Sequence, residues 1–395
     1  MTFKGRLFYG IDRFLFESSH RLKGKRIGLL TNNSALTVSI PGPRVPARLA
    51  LQRAGLKISC LFSNRHGLFL EGRQSPSPTT DPLTNLPIIS FSSLDETAIQ
   101  QILSTLDAVI VDLPDPGVRF LSDLETLAKL LSSCASIGLP IWIFDRPNPL
   151  GGLVKWVEGP LRNTLPATKI DFTIKVPIRH SLTLAEIATM WHHEKGFTNL
   201  LQVSLMEGWQ RRLMLPHLVV SQTPTHPETP DFRVLLLASC TGLFSSLNIN
   251  FGLGSPLGFR VFGAPWIDAH VFLTAVNEFQ MDGVDFHPTY FRAVSSPYQG
   301  QICGGLMVHV SSANHFKPIE TGLRLIHLLH LFYPEKCTWR SSPSFNELDQ
   351  TASTIFGRDD IPLDLARLPY SRADHVKSWT QVKGWTSYCK NWLLY

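Results

Sequence analysis

Two acidic motifs in the first half of the chain contain the side chains best placed to do chemistry. Asp145-Arg146-Pro147-Asn148 follows the apolar run Leu139 to Phe144, and Asp112-Leu113-Pro114-Asp115 follows the apolar run Ala108 to Val111. Strands that are apolar on both faces belong to buried parallel sheets, whose carboxyl ends bind ligands in open α/β folds. An acid and a base on a chain stiffened by prolines are suited to holding polar groups rigidly. The alternative is a plain strand-to-loop turn, in which Arg146 pairs with Asp145 or ties down a neighbouring loop.

The segments that would position these motifs alternate between short apolar strands and amphipathic helices. This alternation predicts an α/β fold with a Rossmann-like, doubly wound, mostly parallel sheet. The strands are predicted at residues 26–31, 58–62, 86–91, 108–111 and 141–144, and the helices at residues 45–54, 97–106 and 121–136.

The second half of the chain is less regular and predicts a smaller α+β domain. Thr183-Leu184-Ala185-Glu186 has the form of a capping box, so a helix is expected to run to about Glu194. That helix start would place Arg179 and His180 where an anion or a sugar oxygen could be bound. Further strands are predicted at residues 202–206, 234–238 and 306–310, a helix at 319–332, and a proline-rich cleft wall at 221–231.

These patterns predict three parts along the chain. Residues 1–155 are expected to form the Rossmann-like domain, residues 156–176 a connecting segment, and residues 177–395 a second α+β domain that closes a cleft. A chain of 395 residues has room for two such domains and a large core.

Composition excludes several classes of partner. Apolar residues make up 44% and charged residues 17% of the chain, which describes an ordinary globular protein. The net charge of +6 is modest, and no run of basic residues alternates with aromatic ones, so we expect no nucleic acid partner. The six cysteines are scattered without a C-x-x-C pair, which favours buried thiols in a reducing compartment.

The same reasoning indicates no membrane partner and a cytoplasmic protein. The amino terminus carries charges where a signal peptide needs an apolar core. No apolar stretch approaches the roughly 20 residues that span a bilayer. The sequence carries no signal for an oligomeric state.

No cofactor is expected either. The segment after the first predicted strand, Thr31-Asn32-Asn33-Ser34-Ala35, lacks the glycines of a dinucleotide fingerprint. The glycine cluster from Gly252 to Gly258 has the wrong spacing, and no phosphate-binding loop is present. His192-His193-Glu194 is not the H-E-x-x-H motif, so no metal site is predicted.

Short motifs that occur in one order in a known family run along nearly the whole chain. They are Gly28 to Asn32, His66-Gly67, Asp81-Pro82, Leu86-Pro87, Asp112 to Phe120, Asp145 to Gly152, Glu158-Gly159-Pro160, Pro177 to His180, Gly208-Trp209, Gly263 to Ala269, Cys303-Gly304-Gly305 and Trp392 to Tyr395. In these motifs the chain resembles the NamZ-type exo-β-N-acetylmuramidases, glycoside hydrolase family 171, long labelled a domain of unknown function.

The resemblance implies a Rossmann-like domain and a smaller domain with the active site in the cleft between them. It also implies release of terminal N-acetylmuramic acid from peptidoglycan fragments, so an amino sugar or muropeptide is the expected ligand. Glycoside hydrolysis usually needs a carboxylic acid to protonate the leaving oxygen and a second carboxylate as base or nucleophile. The candidates for these roles are Asp112, Asp115, Asp145 and Glu158.

Polar residues within or beside the same motifs are candidates for holding the sugar. Histidines could donate to its hydroxyl groups, and arginines could pair with the lactyl carboxylate. The candidates are Arg65, His66, Arg119, Arg146, Asn148, Arg179, His180 and Asn248.

The chain departs from the family pattern at several charged positions. The pattern reads G-P-E-H-G where this chain has Ser63 to Gly67, which puts Arg65 in place of a glutamate to which the resemblance assigns a catalytic role. The family stretch L-F-E-G-T-N-L-S-E-G-R-G corresponds to Leu243 to Gly254, where Ser245 and Phe251 replace both glutamates. Neither arginine nor phenylalanine can exchange a proton near neutral pH.

Three interpretations follow. The chain is an active glycosidase in which surviving aspartates take new roles, or an inactive relative that binds a glycan or serves as an interaction scaffold. The third is an unrelated α/β enzyme on a phosphorylated metabolite, with Arg65 holding the anion. The retained Asp145, Glu158 and His180 favour the enzyme class by a thin margin over the binding protein. We expect absent or very weak muramidase activity in a cleft that binds a sugar acid.

Overall fold

The structure is a computed structural model that describes residues 7–38, 43–71, 78–162, 174–218, 223–340, 351–367, 369 and 375–395. Residues 163–173 of the expected connecting segment lie outside the described residues. So do residues 221 and 222 of the proline-rich segment and residues 1–6 at the amino terminus.

A six-stranded sheet, in which all neighbouring strands run parallel, forms the first layer of the molecule. Its strands are β1 (Arg26–Thr31), β2 (Lys57–Ser63), β3 (Ile88–Ser90), β4 (Ala108–Asp112), β5 (Ile141–Phe144) and β6 (Leu201–Ser204), in the spatial order β3-β2-β1-β4-β5-β6. The chain adds strands outward from β1 in one direction and outward from β4 in the other, which is the topology of a doubly wound fold. The predicted Rossmann-like sheet is therefore confirmed.

Helices cover both faces of this sheet because the buried strands send alternate apolar side chains to opposite sides. In β4, Val109 and Val111 join the core formed with one set of helices, while Ile110 joins the core on the other side. The helices on the first side are α3 (Glu96–Leu103), α4 (Leu124–Ser136) and α5 (Leu184–Glu194), and those on the second are α1 (Gly10–Glu17) and α2 (Ala47–Arg53).

The parallel sheet extends further along the chain than the sequence indicated. Strand β6 pairs with β5 from Ile141–Leu201 to Phe144–Ser204. Helix α5 crosses over between these two parallel strands, so residues 184–204 complete the first sheet. The sequence-based division had assigned them to the second domain. The capping box itself is present, with Thr183 and Glu186 each accepting from the other's backbone N–H.

A three-stranded antiparallel sheet forms the second, smaller α+β part. Its order is β7-β9-β8, with strands β7 (Val261–Ala264), β8 (Val284–Arg292) and β9 (Ile302–Val310). It shares one apolar core with α6 (Phe232–Thr241), α7 (Ala269–Asn277) and α8 (Pro318–Phe332). The strand predicted from residue 306 to 310 and the helix from 319 to 332 are therefore present.

The strand predicted at residues 234–238 is wrong, because these residues lie inside α6. Asp231 begins that helix by accepting from the Val234 N–H at 2.8 Å. Every residue of α6 except Arg233 is buried, and a continuous apolar run is typical of both a core strand and a buried helix.

In the described residues from 351 onward, the chain forms four short helices: α9 (Ala352–Phe356), α10 (Asp360–Arg367), α11 (His375–Thr380) and α12 (Trp385–Cys389). All six cysteines are buried and unpaired, as predicted. Among the described residues, no helix combines the length and the apolar character that a membrane crossing requires.

Candidate functional site

A narrow recess opens at the carboxyl edge of the parallel sheet, where β1 and β4 lie side by side and the chain reverses its direction of winding. This switch point is where open α/β sheets bind ligands. The recess has a volume of about 50 Å³. It is lined by Tyr9, Ser34, Leu36, Arg44, Pro114, Asp115, Arg146, Pro147, Pro149, Leu215, Thr223 and Thr225.

Arg146 and Asp112 form a buried ion pair beside the recess. Asp112 ends β4 and is fully buried, and both of its carboxylate oxygens accept from the Arg146 guanidinium, the Oδ2 bond measuring 2.8 Å. The remaining guanidinium nitrogen donates to the Leu36 carbonyl at 2.9 Å, and the guanidinium lies 4.9 Å above the Tyr9 ring. The carboxylate of Asp112 is therefore engaged, which makes it a support for Arg146 rather than an available acid or base.

Asp115 and His180 meet at the same edge. His180 Nδ1 accepts from the Leu182 N–H at 3.2 Å, so the proton of a neutral ring lies on Nε2. Nε2 lies 3.2 Å from Asp115 Oδ1, without the geometry of a hydrogen bond. Asp115 Oδ1 also accepts from the Gly117 N–H at 2.7 Å. Of the predicted acids, Asp115 is the one that both lines the recess and faces a proton donor.

Arg65 lies at the end of β2 and is bound to the protein itself. Its guanidinium donates to the carbonyls of Phe120 (3.2 Å) and Ser122 (3.3 Å) and to His66 Nε2 at 3.1 Å. Its backbone N–H donates to Asp123 at 3.0 Å. Because His66 Nε2 accepts from a guanidinium, it carries no proton in this arrangement.

The loop from Thr223 to Pro230 covers this edge, as the predicted cleft wall. Pro224 accepts through its carbonyl from the Ser34 hydroxyl, and the Thr223 hydroxyl donates to the Ser34 carbonyl at 3.2 Å. His226 packs edge-to-face on His66 with ring centroids 4.5 Å apart. Burial lowers the pKa of His226 well below its usual value, and the neighbouring His66 and Arg65 act in the same direction. A neutral His226 therefore closes the edge above Arg65.

Asp145 points away from the recess, towards α5 and the carboxyl terminus. One carboxylate oxygen accepts from the Tyr395 hydroxyl at 2.8 Å and the other from the Ala185 N–H at 3.2 Å. Burial raises the pKa of Asp145 to about 7, helped by the negative charge of Glu186. Asp145 therefore joins three segments that are distant in sequence.

Glu158 and Arg179 form a buried contact between the two parts of the molecule. Glu158 Oε1 accepts from the first backbone N–H groups of α8, those of Ile319 (3.2 Å) and Glu320 (3.0 Å). The Arg179 guanidinium lies 3.7 Å from the other carboxylate oxygen and donates to the Leu150 carbonyl at 3.0 Å. Burial raises the pKa of Glu158 to about 7, although Arg179 opposes the shift. Neither residue lines the recess.

Arg119 and the two asparagines also bind backbone groups. Arg119 donates to four carbonyls, those of Pro160, Val176, Ile355 and Phe356, at 2.6–2.9 Å. Asn148 joins the backbone of Leu150 to that of Leu182. Asn248 binds the backbone of Lys336 and Thr338 and donates to the Tyr298 hydroxyl. Asn248 lies in the second part of the molecule and not among the residues of the recess.

The two other positions that depart from the family pattern are buried in the protein. Ser245 donates to the Gly242 carbonyl at 2.7 Å within a helical turn. Phe251 belongs to the core of the second part, with its ring centroid 5.6 Å from that of Phe259. Both positions are filled by side chains that match their surroundings.

Of the residues predicted from the sequence, Asp115 and Arg146 line the recess, and the prediction did not include several other lining residues. Ser34 lies three residues after the end of β1, as Asp115 lies three residues after the end of β4, so the same strand-end argument applies to both. Thr223 lies in the proline-rich segment that was predicted as a cleft wall, whereas Tyr9 and Arg44 come from segments with no sequence signal and reach this edge through tertiary contacts alone. Within the described part of the chain, no three histidine, cysteine or acidic side chains are grouped to hold a metal ion.

Comparison with known proteins matches both parts of the chain to one family. The N-terminal model of exo-beta-N-acetylmuramidase NamZ matches residues 27–233, and the C-terminal model matches residues 236–395. Peptidoglycan beta-N-acetylmuramidase NamZ of Bacillus subtilis (strain 168) is 28% identical over 341 residues, which cover 86% of this chain and 81% of that protein.

Two solved structures from Bacteroides fragilis have the same fold. Each is a DUF1343 family protein that is 22% identical to this chain. The first has a TM-score of 0.84 and covers 99% of this chain and 100% of that chain. The second has a TM-score of 0.71, with coverage of 98% and 99%.

Proposed function

Because the chain belongs to the family of exo-β-N-acetylmuramidase NamZ, we propose that it binds a muramic-acid-containing cell-wall fragment at the switch-point recess and hydrolyses it very slowly or not at all. The Bacillus relative acts on peptidoglycan, as its name states. Muramic acid is an amino sugar that carries a carboxylate. A recess with basic and hydroxyl groups would accept a ligand of this class.

The main support for a loss of hydrolysis is the presence of Arg65 at its position after β2. The family pattern has a glutamate there, whereas Arg65 donates to two backbone carbonyls and to His66. A guanidinium cannot give or take a proton near neutral pH. Losing a general acid or base typically lowers the rate by about 10²- to 10⁴-fold.

The recess supports the same conclusion. Glycoside hydrolysis by the usual route needs two carboxyl groups, one on each side of the scissile bond. Among the described residues that line the recess, Asp115 is the only acid. Asp112 is next to the recess, but both of its oxygens accept from Arg146.

The basic groups at the recess support binding of an anion. Arg44 lines it, together with the hydroxyl groups of Ser34, Thr223 and Thr225, while the guanidinium of Arg146 lines it as a group already paired with Asp112. A volume of about 50 Å³ admits a group of the size of a carboxylate rather than a whole sugar ring. We therefore assign the recess to the lactyl carboxylate, with the sugar ring outside it.

Binding and turnover are tested separately. Calorimetric titration should give a Kd for N-acetylmuramic acid at least ~10-fold below that for N-acetylglucosamine, which lacks the lactyl group, a difference of about 1.4 kcal/mol. Arg44→Ala should remove this preference, whereas Arg292→Ala, on the distant strand β8, should keep it. Equal affinity for the two sugars, or no binding of either, would contradict the proposal.

A chromogenic N-acetylmuramide measures turnover by the same protein. We expect no hydrolysis above the uncatalysed rate for the unmodified chain, and a gain on Arg65→Glu if the rest of the site persists.

Hydrolysis through Asp115 is the second candidate, because Asp115 lines the recess and His180 Nε2 lies 3.2 Å from its carboxylate. Robust turnover that is lost on Asp115→Asn would establish this candidate and overturn the binding-only proposal. Turnover that survives Asp115→Asn would contradict both.

A further inference from the structure

A second and larger cavity lies away from the recess, where the end of α5 meets the start of α12. Its volume is about 660 Å³, within the range of roughly 300–1,000 Å³ found for small-molecule sites. It is lined by Leu161, Lys175, Trp191, Glu194, Lys195, Val382, Lys383, Gly384, Trp385 and Tyr388.

This cavity is at the edge of the parallel sheet opposite to the recess. Helix α5 crosses over between two parallel strands, so it must run antiparallel to them. Its first turn is at the carboxyl edge, where Ala185 donates to Asp145. The segment after its last turn is at the amino edge, where Asn199 donates to the carbonyl of Leu139 just before β5. Glu194 lies in the last turn of α5 and lines the cavity, so the cavity is at the amino edge of the sheet.

The walls combine aromatic surface with positive charge. Trp191 and Trp385 are buried, and Tyr388 is exposed at the rim. Three exposed lysines, Lys175, Lys195 and Lys383, face one acid, Glu194, so the lining carries a net charge of 3 − 1 = +2. The Lys195 ammonium group lies 5.5 Å from the Trp191 ring centroid, which keeps this charge at the aromatic wall.

Two hydrogen-bond donors in these walls are unmatched. The indole N–H groups of Trp191 and Trp385 have no acceptor among the described residues. A buried donor without an acceptor is unfavourable. Because both indole rings belong to residues that line the cavity, the signals of their N–H groups report on a ligand bound there.

We propose that this cavity binds a ligand that carries a carboxylate on a ring with a flat apolar face, independently of the recess. The lysines supply point charges for the carboxylate, and the tryptophan and tyrosine rings supply surfaces on which such a ring stacks. A sugar acid and an aromatic acid share this chemistry. The proposal does not depend on the function assigned to the recess.

The indole N–H signals of the protein labelled with ¹⁵N-tryptophan provide the test. Trp191→Phe and Trp385→Phe variants assign the two signals, and the protein is titrated with N-acetylmuramic acid, with benzoate and, as the neutral probe, with N-acetylglucosamine. We expect both signals to move with at least one of the two acids and to stay in place with the neutral sugar.

Charge variants then locate the binding. Lys383→Ala should weaken the titration at least ~5-fold, a change of about 1 kcal/mol. Lys377→Ala, which removes an amino group that lines a different cavity, should not weaken it. Arg44→Ala at the recess should also leave these two signals responsive.

Indole N–H signals that do not shift with either acid would overturn the proposal. So would an equal response to the neutral sugar, or a titration that Lys383→Ala leaves unchanged. A titration lost on Arg44→Ala would assign the response to the recess and equally overturn an independent site. Failure of the recess to bind sugar, with the indole signals still moving, would reject only the proposed function.

Discussion

The ends of β4 and β5 differ from the end of β2, although all three lie at one edge of the same sheet. After β4 and β5 the chain keeps charged residues of the family pattern, and most of them bind backbone groups or each other. Asp112 holds Arg146, Asp145 holds α5, and Arg119 holds four carbonyls. After β2 the chain has the partly buried Arg65, at the position where the family resemblance predicts a glutamate.

At this edge of the sheet, the presence of a residue of the family pattern therefore does not show that the catalytic activity is present. A buried charge that loses its partner is costly, so residues such as Asp112 and Arg119 are required for folding whether or not turnover occurs. A partly exposed acid that serves only catalysis can be replaced without leaving a buried charge unpaired. Retained acids and a changed Arg65 are therefore compatible with loss of hydrolysis.

Phe251 should not tolerate the glutamate of the family pattern. Phe251 is 2% exposed and packs against Phe259, so Phe251→Glu would bury a carboxylate in an apolar core. We expect a loss of about 4–5 kcal/mol in the free energy of unfolding, measured by urea denaturation. Phe251→Leu, the matched apolar change, should cost about 1 kcal/mol. A folded Phe251→Glu protein of near-normal stability would show that the site can regain its acids without a change of fold.

Breaking the buried pair at the end of β4 should have the next largest effect. Asp112→Asn leaves the Arg146 guanidinium buried beside a neutral amide, and we expect a loss of about 3 kcal/mol. Asp107→Asn is the control, because Asp107 also pairs with an arginine, Arg26, but in an exposed position where water screens the pair. A similar small loss in both variants would show that Asp112 is free for another role.

The pH dependence of stability sharpens the assignment of Asp145 to the framework. Burial raises its pKa from 3.8 to about 7, so the folded protein retains a proton that the unfolded chain releases near pH 4. The stability from this group is complete below that pH and is lost as the pH rises through about 7. Asp145→Asn should therefore make the free energy of unfolding fall less steeply between about pH 4 and pH 7, measured by denaturation at several pH values.

Asp107 provides a control of opposite sign. Its hydrogen bonds from Arg26 lower its pKa to about 2, so its contribution is lost only as the pH falls below its usual value of 3.8. Asp107→Asn should leave the range from about pH 4 to pH 7 unchanged. An unchanged slope in Asp145→Asn would contradict the raised pKa.

Removing Arg65 should have the smallest effect on stability. Its bonds to two carbonyls and to His66 lie at a partly exposed position, so Arg65→Ala should cost about 1 kcal/mol. Arg65→Lys keeps the positive charge but lacks the planar guanidinium group. It should therefore recover little of the lost free energy of unfolding. A loss as large as that of Asp112→Asn would place Arg65 in the framework and remove the contrast between the two strand ends.

Much of the fold was predictable because it follows from local periodicity. Short apolar runs predicted the five strands β1 to β5. The capping box at Thr183 and Glu186 predicted the start of α5. The buried run in α6 was assigned to a strand, because a segment that is apolar on all sides has no period to distinguish the two structures. The boundary near residue 177 was displaced for a related reason: nothing local shows that β6 pairs with β5.

The amino-acid sequence by itself determined the doubly wound sheet, and with it the edge at which Asp112, Asp115, Asp145 and Arg146 emerge. Only the tertiary structure decided what each of these side chains does there. A residue that follows a strand can turn towards the recess or towards neighbouring elements, and the choice depends on partners that are remote in sequence. Tyr395 and Ala185 draw Asp145 away and the first turn of α8 engages Glu158, whereas Asp115 stays at the recess with His180 beside it. Hydrogen bonds and ion pairs between distant segments have no periodic signal, so chemistry at this edge follows from the folded chain alone.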